Sequence, residues 1–313
     1  MKINSNKVDV AALTELLKPH FEMTMARRGS NLSFDRFEMA SVECDGNTLH
    51  LDILEAGKDK PTFVFVPGTA VYGLTFADFL AAIADQGINV VSFDPRGHGR
   101  SSGRQGNYTI MELVRDARAV IDYAKQRFES PVFISGSSQG GLVAFYTAAT
   151  KENLAGAICH NLADLADPEN AETTAHPTFT KLAKPLLNSL AKVFPNFSFS
   201  IQRYFSLLAR GEHDVKDRMA ADPLSLKMIS FRALASLAST PLPKPVEEIT
   251  TPIMILHGSA DTIFKQPMIE KLYDRLNCEK SLKIYTDRDH FLFTEKIEQV
   301  VPDIVEWVNQ RCK

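Results

Sequence analysis

The stretch Gly136-Ser137-Ser138-Gln139-Gly140-Gly141 sets a serine between two glycines in the order G-x-S-x-G. Glycine on either side permits a sharp turn that lifts a serine hydroxyl clear of the preceding strand and leaves room for the helix that follows. Ser138 is the central serine, and Ser137 lacks the flanking spacing. An apolar run from Pro131 to Ser135 comes before the turn, and Leu142, Val143, Phe145 and Tyr146 follow at helical spacing. A serine hydroxyl is a weak nucleophile, so a base must take its proton and a third group must hold that base in one tautomer. Two downstream segments carry such groups, each directly after an apolar run: His257-Gly258-Ser259-Ala260-Asp261 and Thr286-Asp287-Arg288-Asp289-His290-Phe291. The reading is Ser138 as nucleophile, His290 as general base and Asp261 as the acid that orients the histidine.

Other assignments stand beside it. The glycine-serine turn can occur without chemistry, His98 or His257 can be offered as base, and Asp164, after an earlier strand, can be offered as the acid. The chain order serine, acid, histidine favours Ser138, Asp261 and His290. A metal held by His257, Asp261 and His290 has no close ligand spacing to support it, so neither a metal nor another cofactor is expected.

These residues need a scaffold that brings strand ends together. Val10, Leu13, Leu17 and Phe21 recur at helical spacing and predict a helix over 8–27, peripheral to the core. Phe37 to Cys44 and Thr48 to Glu55, joined through Asp45-Gly46-Asn47, read as two strands and a tight turn. Short, continuously apolar runs follow: Thr62 to Val66, Ile88 to Phe93, Pro131 to Ser135, Leu154 to Cys159, Pro252 to Leu256 and Leu282 to Tyr285. Runs of this kind suit strands covered on both faces, as in a parallel sheet. Between them lie helical stretches. Thr109 with Glu112 forms a capping box ahead of Leu113, Ala117, Val120, Ile121 and Ala124. A last helix is predicted to begin near Pro302 and to bury Ile304, Val305 and Val308. The alternation is that of a doubly wound α/β sheet, whose sites form at the carboxyl ends of strands.

One region breaks the pattern. Residues 162–246 hold Pro168, Pro177, Pro185, Pro195, Pro223, Pro241, Pro243 and Pro245, half of the 16 prolines, with helical apolar patches between them. They read as an inserted helical cap closed by the stiff Pro-Leu-Pro-Lys-Pro segment at 241–245. The expected organisation is an N-terminal helical extension (1–30), a core of 31–161 and 247–313, and the cap.

With 313 residues, 44% hydrophobic and 23% charged, and a net charge of -3, the chain can bury a large core and has no basic excess to attract nucleic acid. No run has the length of a membrane span, and the first residues lack a signal-peptide pattern. Cys44, Cys159, Cys278 and Cys312 are scattered without a C-x-x-C pair, which favours a reducing compartment; a cytoplasmic location is expected.

On these motifs the sequence resembles the capped α/β-hydrolase superfamily, in particular its serine esterase and lipase branches similar to monoacylglycerol lipases and lysophospholipases. The resemblance covers about residues 37–311, apart from the cap. It maps the nucleophile turn onto Gly136 to Gly140, the acid loop onto His257 to Asp261 and the catalytic histidine onto His290, and it makes Asp94-Pro95-Arg96-Gly97-His98-Gly99-Arg100-Ser101 a structural turn. An acyl-serine mechanism needs two main-chain donors for the oxyanion. The first is the amide of Gln139, directly after the nucleophile. The resemblance places the second at Thr69, although Pro67-Gly68 stands where the family has His-Gly. Pro-Gly-Thr-Ala fits neither a Gly-Gly-Gly oxyanion loop nor a Gly-Gly-Pro-Gly peptidase loop.

The resemblance implies a small-molecule partner, a carboxylic ester with an apolar acyl group such as a monoacylglycerol or lysophospholipid. Phe194, Phe197, Phe199, Tyr204 and Phe205 in the cap are candidates to line an acyl tunnel, or else to form the cap's own core. The same triad serves C–C bond hydrolases, thioesterases and acyltransferases, and a ligand-binding protein can keep the fold without catalysis.

Overall fold

The computed structural model describes residues 8–150, 153–168, 177–203 and 221–312. Eight strands form one sheet in the order β1-β2-β4-β3-β5-β6-β9-β10. They are β1 Glu38–Cys44, β2 Asn47–Leu54, β3 Thr62–Val66, β4 Asn89–Phe93, β5 Val132–Ser137, β6 Gly156–His160, β9 Ile253–Gly258 and β10 Lys280–Tyr285. β2 runs antiparallel to both β1 and β4, and the remaining pairs are parallel. Every residue of β3, β4, β5, β6 and β9 is buried, which is why these strands read as unbroken apolar runs. The turn at 45–46 uses Asp45 and Gly46 in the left-handed region, as a two-residue hairpin requires.

Helices cover both faces. α1 (Val10–Arg27) is not peripheral: its Leu17, Phe21 and Met25 are buried with Phe34 and Phe37 in the core layer that also holds Phe63 and Phe79. α2 (Ala77–Ala84) covers the same face. α3 (Ile110–Arg127) starts at Thr109, whose hydroxyl accepts from the Glu112 amide while Glu112 accepts from Thr109 N, the reciprocal cap read from the sequence. α4 (Gln139–Thr150) is buried along almost its entire length beneath the opposite face. The last helix begins at Ile297 rather than near Pro302, which lies inside it. Val300 and Val301 are buried, and their packing sustains the extra turn ahead of the proline.

The region between β6 and β9 contributes the helix Pro177–Val193, the helix Phe231–Ser239 and a two-stranded ribbon, β7 Ser198–Ser200 with β8 Met228–Ser230. The ribbon was not expected from the sequence, because strands of three residues show no period. The inserted region rests on loops at the carboxyl side of the sheet: Leu226 N donates to Ala70 O at 2.8 Å, Ser230 N to Gly106 O at 2.9 Å, and the Tyr72 hydroxyl to Asp222 at 3.0 Å. Among the described residues no helix is long and apolar enough to cross a membrane.

The Asp94–Ser101 turn is a buried knot of charge. Arg96 clasps Asp116 on α3 at 2.6 Å, Arg100 reaches Asp52 on β2 at 2.5 Å, and Asp94 accepts from the amides of Gly73 and Arg100. It ties β4 to β2, to α3 and to the loop after β3. Gly99 could be nothing else, since its φ is +49° and a Cβ would lie 2.3 Å from the Asp94 carboxylate.

Candidate active site

Ser138 sits between the end of β5 and the start of α4 with φ of 56°, in the left-handed region that a serine seldom adopts. The surroundings explain why the turn holds. Ser138 N donates to His160 O at 3.0 Å, and Leu142 N returns to Ser138 O at 3.0 Å. A Cβ on Gly136 would lie 2.2 Å from the backbone of Gly140, and one on Gly140 would lie 2.0 Å from Val66 O. Both glycines are therefore steric requirements of a helix packed this close to its strand.

His290 follows β10 and Asp261 follows β9, so the carboxyl ends of adjacent strands bring them together. His290 Nδ1 lies 2.8 Å from Asp261 Oδ2, and both side chains are buried. Asp261 Oδ1 accepts from the amides of Ile263 and Phe264 at 2.7 and 2.9 Å. Burial alone would raise the Asp261 pKa. The neighbouring His290, its hydrogen bond and the Phe264 amide outweigh that and hold the carboxyl well below its ordinary range. An ionised Asp261 accepting at Oδ2 sets the proton of an uncharged His290 ring on Nδ1, which puts the ring's lone pair on Nε2. The Phe264 ring stacks parallel to the imidazole, centroids 5.8 Å apart.

The alternative residues are engaged in other contacts. Asp164 accepts from the amide of Ala166 at 3.1 Å, capping its own turn. His98 bonds Arg96 O through Nδ1 and packs on Tyr108, and burial pushes its pKa down to about 4. His257 Nδ1 contacts Asn161 Oδ1 at 2.6 Å. Among the described residues His160, Asp261 and His290 offer ligand atoms within 4.8 Å of one another. The Asn161 amide nitrogen lies beside two of them, 2.9 Å from Asp261 Oδ2 and 3.4 Å from His290 Nδ1.

Sequence reasoning did not single out His160 and Asn161. His160 closes β6, its carbonyl holds Ser138, and its Nδ1 lies 2.9 Å from Ser137 Oγ. Burial, then the proximity of His290, pushes its pKa down to about 3. The available signal was two polar residues directly after an apolar run, at the sheet edge where sites form.

The two candidate oxyanion residues are bound to each other. Gln139 Oε1 accepts from the Tyr108 hydroxyl at 2.9 Å and from Thr69 Oγ1 at 3.3 Å. The Thr69 hydroxyl is thus engaged with Gln139. Gln139 is the first residue of α4, where backbone N–H groups have no intrahelical acceptor and the helix dipole favours negative charge. In the cap, Phe194 and Phe197, two of the candidates to line an acyl tunnel, are 57% and 60% exposed. They sit where the chain reverses between a helix and the ribbon, and Phe197 lies against Phe231 with centroids 5.0 Å apart. Phe199 is half-buried against the main core, and Tyr204 and Phe205 lie outside the described residues.

The sequence matches the family described as serine aminopeptidase, S33 over residues 57–297. It is 28% identical to the monoglyceride lipase of Homo sapiens over 281 residues, 86% of this chain and 89% of that one. It is 27% identical to the monoacylglycerol lipase of Mycolicibacterium smegmatis over 71% of this chain and 78% of that one. A soluble variant of the Saccharomyces cerevisiae monoglyceride lipase, solved with a substrate analogue, superposes with a TM-score of 0.73 at 19% identity, covering 88% of this chain and 96% of that one. The fold is thus that of an α/β-hydrolase, and the chain belongs to the serine aminopeptidase S33 family within it, with monoglyceride lipases among its relatives.

Proposed function

We propose that this protein hydrolyses carboxylic esters of apolar acyl groups, monoacylglycerols foremost, through an acyl-serine intermediate. The observation that carries the reading is the buried 2.8 Å contact between Asp261 and His290 at the strand edge where Ser138 is held with φ of 56°. His290 Nε2 takes the Ser138 proton as Oγ attacks the ester carbonyl, and Asp261 stabilises the imidazolium that forms. The main-chain amides of Gln139 and Thr69 receive the oxyanion, and His290 returns the proton to the leaving glycerol. Water, deprotonated by the same imidazole, then releases the fatty acid and frees Ser138.

Monoacylglycerols are preferred because the human and mycobacterial relatives bear that activity in their names. The test is a panel of monoacylglycerols graded by chain length, a lysophospholipid, an acyl thioester and an aminoacyl anilide, each run with wild type and Ser138→Ala. Turnover of monoacylglycerols at least about tenfold above the rest, absent in Ser138→Ala, supports the reading. Anilide hydrolysis above ester hydrolysis would make the protein a peptidase instead.

A further inference from the structure

The two sides of the proposed oxyanion hole come from parts of the chain that share no element. Gln139 opens α4, whereas Thr69 lies in the loop that leaves β3, between Pro67-Gly68 and Ala70, whose φ of 68° bends the chain sharply. Packing presses this loop onto the nucleophile turn: a Cβ on Gly68 would lie 3.6 Å from Ser138 Cβ, and one on Gly140 would lie 2.6 Å from Pro67 O. Contact of this kind sets how close the loop comes, and not how it is turned. Among the described residues no backbone carbonyl accepts from the amide of Thr69 or of Gln139. What tethers Thr69 is a side chain.

Gln139 Oε1 has two lone pairs and uses both, accepting from the Tyr108 hydroxyl at 2.9 Å and from Thr69 Oγ1 at 3.3 Å. A threonine hydroxyl carries one proton, and this one is given to Gln139, so it is not a donor to the oxyanion. Gln139 and Tyr108 are both buried. Tyr108 directly precedes Thr109, the reciprocal cap of α3, and its ring packs on His98 with centroids 4.9 Å apart. His98 in turn contacts Arg96 O at 3.0 Å through Nδ1. The charged knot at 94–101 and the start of α3 therefore stand behind Tyr108, Tyr108 behind Gln139, and Gln139 behind Thr69.

We propose that the Gln139 side chain, held from behind by Tyr108, is a positioning group: a crossbar that sets the Thr69 amide opposite the Gln139 amide before the substrate carbonyl gains charge. Donors already in place stabilise a developing oxyanion without reorganising, whereas an amide that has to be drawn in loses that advantage. One residue thus supplies one oxyanion donor through its backbone and places the other through its side chain. The Thr69 hydroxyl is the far end of the crossbar, which assigns the side chain at 69 a task separate from that of its amide.

The inference rests on the hydrolase reading, and the experiment separates the two. Ester kcat and KM are measured for wild type, Thr69→Ser, Thr69→Val, Gln139→Met, Tyr108→Phe and the double variant Thr69→Val/Gln139→Met, with thermal melting of each as a check on folding. Each is also titrated with an alkyl trifluoromethyl ketone: Ser138 Oγ adds to the carbonyl carbon, the serine proton passes to His290, and the carbonyl oxygen becomes an oxyanion in the same hole. Every variant keeps both main-chain amides. Thr69→Val and Gln139→Met are each expected to lower kcat about 10- to 100-fold and to weaken ketone binding by a similar factor, with KM within about threefold, as when a group acting in the transition state is misplaced. Both break one link, so the double variant should fall within about threefold of the lower single, and Thr69→Ser, which keeps the hydroxyl, within about threefold of wild type. Tyr108→Phe frees the crossbar at its other end and should lower kcat about three- to tenfold. A hydroxyl that donates to the oxyanion itself gives a loss in Thr69→Val with Gln139→Met at the wild-type rate, and that result overturns the proposal. So does a double variant whose loss is the product of the two singles, or a loss confined to KM. If Gln139→Met melts well below wild type, Tyr108→Phe replaces it in the cycle with Thr69→Val and the same criteria decide. Wild type that neither turns over esters nor binds the ketone strikes the hydrolase reading, and the inference with it.

Discussion

The floor of the proposed site and the cap above it are built on opposite terms. In the floor, His160, Asn161, His257, Asp261 and His290 are all buried and joined through hydrogen bonds or ring contacts, with Asn161 and Asp261 contributed by neighbouring strands. In the cap, Leu186, Val193, Phe194, Phe197 and Met228 are large, apolar and exposed. A site that stabilises developing charge must hold its dipoles in place before the substrate arrives, because reorganising them during the reaction costs rate. The cap carries no such demand, and single changes there should be tolerated where changes in the floor are not. The contrast can be broken by any large effect in the cap or any small one in the floor.

The largest effect is expected at the nucleophile. Ser138→Ala should lower ester turnover by more than about 10⁴-fold with no change in melting temperature, read by stopped assay and calorimetry. Next comes the elbow itself. Gly140→Ala puts a methyl 2.0 Å from Val66 O, so both the fold and the turn must give; we expect activity lost and a melting temperature lower by at least about 10 °C, a loss of several kcal/mol.

A smaller, graded effect is expected with acid. His98, His160 and His257 have pKa values lowered by burial, to about 4 for His98 and about 3 for His160, so they stay neutral in the folded protein where the unfolded chain takes up protons. Their contribution to stability is complete above the ordinary histidine value of about 6.5 and is lost as pH falls from there toward the folded values. Asp261, whose carboxyl is held low, adds a further loss below about pH 4. The unfolding free energy obtained from urea titrations should therefore fall between pH 7 and pH 5, by about 2 kcal/mol for each histidine that stays neutral. The smallest effect belongs to the cap surface. Phe194→Ser should change stability by no more than about 0.5 kcal/mol, since an exposed side chain with few contacts has little to lose.

The same contrast governs what the sequence disclosed. The strands, the glycine-flanked Ser138 and the Thr109–Glu112 cap were legible because each is a local pattern: a run of burial, a turn that excludes Cβ atoms, a reciprocal hydrogen bond three residues apart. Asp261 and His290 were legible through their place after strands and the order of the chain. Asn161 was not, because its partners Asp261 and His257 are 100 and 96 residues away and nothing in Cys159-His160-Asn161-Leu162 specifies them. The ribbon of β7 and β8 escaped for another reason: three residues per strand give no alternation to count, and the pairing itself, Ser198 opposite Ser230, makes the structure. The exposure of Phe194 and Phe197 was not legible either, because aromatic content says how much area a segment can bury and not which way it faces.

The central claim is that Ser138 is an activated nucleophile, and intact-mass spectrometry after treatment with a fluorophosphonate tests it most directly. The account predicts one adduct per chain, mapped to Ser138 on the peptide from the nucleophile turn, absent in Ser138→Ala and strongly slowed in His290→Ala. An unmodified wild-type protein, or an adduct on Ser137 or another serine that persists in Ser138→Ala, would contradict it.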